Sequence, residues 1–85
     1  MSETNLREKA RLHLQHGSMP NEVPRRVYGG LGIGVRCHLC ALPVRHNQSE
    51  IELQFFRDAV ENPHLDVFHL HTRCFAAWEL ERTGL

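Results

Sequence analysis

At 85 residues the chain has room for one small domain, a size at which the core alone is marginal and a metal, disulfides or oligomerisation commonly staple the fold. An apolar content of 41% with no run near the ~20 apolar residues of a spanning helix argues against a membrane protein, and the polar residues 1–15 lack the apolar segment of a secretory signal, so the expected compartment is the cytoplasm. Ten basic and ten acidic side chains cancel, which argues against nonspecific coating of nucleic acid, yet residues 1–46 carry a net +4 and residues 47–85 a net −4.

In chain order, residues 3–16 read as a helix. Ser2 or Thr4 is placed to cap it and Gly17 to end it, and Leu6, Ala10 and Leu14 form one apolar line. A helix this short needs a partner surface, in its own domain or in another chain. Residues 18–26, with Pro20 and Pro24, read as an extended linker, which divides the chain into a helix and linker (1–26) and a domain (27–85). Residues 28–34 hold glycines at 29, 30, 32 and 34, a flexible backbone that can turn tightly or pack close to something, and lead into Cys37-His38-Leu39-Cys40. Residues 50–56 alternate as a half-buried strand, with Ile51, Leu53 and Phe55 opposed to Glu50, Glu52 and Gln54. Asn62-Pro63 signals a turn within residues 57–66. Residues 67–71 alternate again, Phe68 and Leu70 opposite Val67, His69 and His71, and residues 73–82 are good helix formers. The order is knuckle, strand, strand, helix: an α+β domain with an additional N-terminal helix.

Three cysteines leave one over from any disulfide framework, and a close Cys pair in a reducing compartment points to metal. Zinc takes four soft or borderline ligands in a tetrahedron. Cys37 and Cys40 supply two from a tight knuckle, and His71-Thr72-Arg73-Cys74 supplies the second pair, with Cys74 in the first helical turn where the helix dipole favours a thiolate. The expected set is Cys37, Cys40, His71 and Cys74 around one zinc ion. His69, on the same strand face, is the rival to His71, which is preferred because three residues is the usual close-pair separation. His38 is expected to face solvent, and His13, His16, His46 and His64 to be surface residues. Four protein ligands make a closed site that stabilises a fold and does not activate water, so no enzymatic activity is expected.

This pattern of Cys37-x2-Cys40 and His71-x2-Cys74 on a knuckle, hairpin and helix resembles a treble-clef zinc finger of the kind seen in LIM-type half-modules. The run from Gly29 to Cys40, the strand Glu50-Ile-Glu-Leu-Gln-Phe55 and His69-Leu-His-Thr-Arg-Cys-Phe-Ala-Ala-Trp-Glu-Leu-Glu81 also resemble a group of small bacterial zinc-binding proteins. The resemblance spans residues 20–82 and implies the metal and the fold, with no activity attached. Residues 41–70 separate the ligand pairs by more than in LIM-type modules, so the clef shape is what transfers.

Other chemistries fit less well. The glycine run lacks the Lys-Ser/Thr of a phosphate loop. Leu42-Pro43 after the Cys pair resists the helix a redox motif opens. The His-x-Glu and Pro-Cys-x-x-Cys of a zinc deaminase are absent. A ββα nuclease has only His46-Asn47 and His69 to draft, without an acidic cluster. Phe55, Phe68, Phe75 and Trp78 read as core rather than as a base-stacking platform, and Arg25, Arg26, Arg36 and Arg45 as a solvated basic face. The leading expectation is a protein-interaction module, with self-association suited to the opposed charges of the two halves. A nucleic-acid-binding finger comes second and a metal-dependent nuclease third; no small-molecule substrate is indicated.

Overall fold

A computed structural model describes residues 2–58 and 62–84, apart from the side chain of Glu3. Its elements are α1 (Glu3–His16), β1 (Arg26–Leu31), β2 (Ser49–Arg57), β3 (His64–His71) and α2 (Thr72–Thr83), with the strands forming an antiparallel sheet in the order β1-β2-β3. Among the described residues no helix is long and apolar enough to cross a membrane.

Helix α1 starts and stops where its sequence signals stand. The Ser2 hydroxyl accepts the Asn5 N–H at 3.3 Å, and Gly17 closes the helix in the left-handed region at φ 73°. The apolar line finds its partner within the chain: Leu6 and Ala10 are buried, and α1 packs on α2. Arg7 and Arg11 of α1 both reach the Glu81 carboxylate of α2, at 2.9 and 3.1 Å.

The core lies between the sheet and α2. Leu53 and Phe55 of β2, Leu70 of β3 and Ala77 and Trp78 of α2 are buried, with Ile51, Phe68 and Phe75 packed against them. Trp78 is the largest fully buried side chain and meets Phe55 edge-on. The expected alternation of β2 holds on this face. On the other face Glu50, expected in water, is buried because the His69 ring of β3 closes over it and hydrogen-bonds its carboxylate.

Two stretches depart from expectation. Residues 18–26, expected as an extended linker, are anchored to the domain: Met19 is in the core, and the Trp78 indole N–H donates to the Pro20 carbonyl at 3.0 Å. A buried indole requires such a partner, and this one anchors the segment. The glycine run is not an open loop either, because its first part pairs with β2 as strand β1, Gly29 opposite Ile51 and Gly30 opposite Glu50. An available strand edge outweighs weak glycine propensity. The expected boundary between residues 26 and 27 thus falls inside β1. Part of the expected turn, residues 59–61, lies outside the described residues.

Candidate metal centre

The knuckle is the tip of a small hairpin over residues 34–44. Val44 N–H bonds to the Val35 carbonyl and Gly34 N–H to the Val44 carbonyl, at 2.9 and 2.8 Å, and Arg36 bridges to Pro43. At the tip Cys37 N–H bonds to the Leu42 carbonyl and Ala41 N–H to the Cys37 carbonyl, at 2.8 and 2.9 Å. The turn places Ala41 in the left-handed region at φ 67°, a conformation uncommon for a residue with a side chain. Gly32 is required where the hairpin departs from β1, since a Cβ there would overlap the carbonyl oxygens of Val44 and Arg45. Leu39, inside the knuckle, is buried in the core.

The second pair arrives from the junction of β3 and α2. His71 is the last residue of β3 and the N-cap position of α2, where it makes no side-chain capping bond because its ring turns to the cysteines. Cys74 follows in the first turn. The donor atoms of Cys37, Cys40, His71 and Cys74 all lie within 4.8 Å of one another. His71 Nδ1 stands 3.4 Å from Cys40 Sγ and 3.9 Å from Cys74 Sγ. A tetrahedral ion with metal–sulfur bonds of about 2.3 Å sets its donors roughly 3.5–3.8 Å apart, so small adjustments seat it. His71 Nε2–H donates to the Pro43 carbonyl at 3.1 Å, which fixes the tautomer and leaves the Nδ1 lone pair facing the sulfurs.

The electrostatics fit a cation. The Cys74 thiol donates to Cys37, which holds Cys37 at about 4 against the opposing push of burial, with backbone hydrogen bonds from Cys40, His71 and Leu39 helping. That same contact, together with burial and the charges of Cys37 and Cys40, pushes Cys74 far up. Three sulfurs this close repel as thiolates unless a positive ion stands between them. Cys37 and Cys74 are buried while Cys40 and His71 are half-buried, and a depression of about 270 Å³ beside them gives an ion its route.

His69, the rival ligand, is not in this cluster; it is committed to Glu50 on the outer sheet face. His38 is exposed, but its Nε2 meets the Ser18 carbonyl at 2.8 Å and its ring stands edge-on to Phe68. His13 does more than its surface reading implied. Its Nε2–H donates to the Leu39 carbonyl at 3.0 Å and its Nδ1 meets the Ser18 hydroxyl at 2.6 Å, which ties α1 to the knuckle. Nothing in the sequence marks this role except a histidine in the last turn of a helix. His46 reaches the Gly32 carbonyl and His64 pairs with Asp66, both away from the cluster.

No protein-family model, curated protein or solved structure matches the chain.

Proposed function

We propose that the chain is a structural-zinc module of treble-clef form that acts by binding protein, without catalysis of its own. The observation that carries this reading is the complete four-ligand set of protein donors, Cys37, Cys40, His71 and Cys74, which ties the knuckle to the first turn of α2. Such a set supports a closed site with no coordination position for substrate or water. Zinc is the metal of choice for three thiolates and one imidazole in tetrahedral array.

The charge distribution favours protein over nucleic acid as the partner. Arg7 and Arg11 are held by Glu81, Arg57 by Glu22 and Asp66, and Arg82 by Glu79. These arginines are partly committed within the chain; Arg25, Arg26, Arg36 and Arg45 are exposed, so it is the net charge of zero that weighs against a phosphate-binding surface.

The test joins metal analysis with binding. Purified chain should hold one zinc ion with a three-sulfur, one-nitrogen shell by X-ray absorption, and should form a defined complex by light scattering that chelator abolishes. A zinc-loaded chain that stays monomeric and retains no protein overturns the interaction reading. A shift of DNA or RNA probes at low salt that disappears steeply with added salt replaces it with nucleic-acid binding.

A further inference from the structure

The two edges of the sheet are not alike. The far edge of β3 is met by the knuckle, where His38 N–H donates to the His69 carbonyl at 2.8 Å. Strand β1 touches only β2 among the described elements and is exposed at every position. Gly32 N–H bonds to the Gln48 carbonyl, and with the β1–β2 register this phase turns the backbone groups of Val27, Gly29 and Leu31 away from β2. Such an edge is a template for another strand, and natural sheets blunt it with charged side chains, lysine above all, with proline or with a covering element. Strand β1 has neither lysine nor proline, and its one charge, Arg26, stands at its first position. Instead Val27 and Leu31 are 49% and 71% exposed, with Ile33 beyond them at 62%.

The outer face beside this edge carries an acidic pocket of about 220 Å³, walled by Tyr28, Gly30, Ile33, Glu50, Glu52 and His69. Glu50 accepts from His69, and Glu52 stands 4.0 Å from the same ring nitrogen. Gly30 lies opposite Glu50, and nothing stands within 4 Å of where its Cβ would be, so the pocket opens across β1 towards the free edge. Arg26 lies on the same face, exposed, donating to the Tyr28 hydroxyl at 3.1 Å.

We propose that two copies pair their β1 strands antiparallel about a twofold axis at Tyr28, each placing Arg26 in the Glu50–Glu52 pocket of the other. The inference rests on the protein-interaction reading and names the partner as a second copy. In this register Arg26 of one copy stands opposite Gly30 of the other. With strands about 4.8 Å apart, Glu50 lies roughly 10 Å beyond, a gap that the extended arginine and glutamate side chains close between them. The missing side chain at Gly30 leaves the path clear. The contact joins the positive half of one chain to the negative half of the other, and the overhanging Val27 and Leu31 come under cover.

Sedimentation equilibrium on the zinc-loaded full chain tests this. A reversible dimer that weakens with salt is expected. Arg26→Glu and Glu52→Arg should each weaken it by about tenfold or more, and the two together should restore it to within about threefold. Gly30→Val should fold, keep its zinc and be at least as heat-stable as the parent, because the site has room and valine suits a strand, yet dimerise more weakly. A parent that remains monomeric at about 1 mM overturns the inference while leaving the interaction reading to stand on capture of a different protein. A dimer indifferent to all these substitutions overturns it too, because the copies then meet elsewhere.

Discussion

The knuckle side of the molecule and the β1 side are built from different forces. On the knuckle side, side chains from four segments converge: Cys37 and Cys40 from the hairpin, His71 from the end of β3, Cys74 from α2, and His13 from α1 reaching the Leu39 carbonyl. On the β1 side a six-residue strand is held by backbone hydrogen bonds to β2, with no buried side chain of its own. Damage on the first side should therefore spread through the fold, and damage on the second should stay local.

Metal removal should do the greatest damage. Structural zinc contributes on the order of 10–16 kcal/mol in finger peptides, which rivals or exceeds the roughly 5–15 kcal/mol total stability of a domain. Chelation, or Cys74→Ser, should unfold the region from residue 37 onward. Trp78 is the sole tryptophan and is fully buried, so its fluorescence should shift to that of exposed indole as the metal leaves. A chain whose helicity and fluorescence survive strong chelator would show that the apolar core, and not the ion, organises the knuckle side.

Trp78→Ala comes next. The ring packs against Phe55 and Phe75, lies under the Arg82 guanidinium at 5.0 Å, and pins Pro20 through its N–H. Loss of the ring and of the Pro20 bond should cost about 3–5 kcal/mol in urea denaturation of the zinc-loaded chain. A cost below about 1 kcal/mol would mean that the ion carries α2 without help from the core.

The sequence made some of this architecture legible and hid the rest for physical reasons. Helix α1 was readable because its cap, its stop and its apolar line coincide. The cysteines were readable because their spacing is itself the geometry of a knuckle. The choice of His71 over His69 had only the three-residue spacing to Cys74 behind it, since a period of two puts both on one strand face; the turn into α2 carries His71 to the cysteines, while Glu50 captures His69. Strand β1 was hidden because Gly29 and Gly30 carry no strand preference, and β2 had to be in place to supply an edge. Met19 and Pro20 looked like linker because the demand that anchors them comes from Trp78, far along the chain.

The glycine run offers a smaller and sharper comparison within a few residues. Gly32 and Gly30 are two positions apart, one under the knuckle hairpin and one on the open edge. Gly32→Ala should cost about 1–3 kcal/mol, because its Cβ meets backbone oxygens that cannot step aside. Gly30→Ala, with empty space around it, should gain about 0.4–1 kcal/mol by restricting the unfolded chain. Thermal unfolding of both variants with zinc bound measures the difference, and equal effects would erase the distinction between the two sides.

The smallest effect belongs to the helix pair. The hydrogen bond from Arg11 leads in holding the Glu81 carboxyl below its ordinary value, against the opposing effect of burial, with the hydrogen bond from Arg7 and the charge of both arginines helping. A carboxylate lowered in the folded state adds stability that is present above its unfolded value, near 4.3, and is lost as pH falls through the folded one. Both arginines are well exposed, so each pair should contribute only about 0.2–1 kcal/mol, less in salt. Glu81→Gln should therefore lower stability slightly at pH 7, with the gap to the parent narrowing in high salt and as pH falls towards the unfolded value. Acid also strips the thiolates of their metal and with it unfolds α2, so the pH comparison runs only while zinc stays bound and the salt dependence carries the test. A gap that stays constant with pH and salt would assign Glu81 a packing role in place of a charged one.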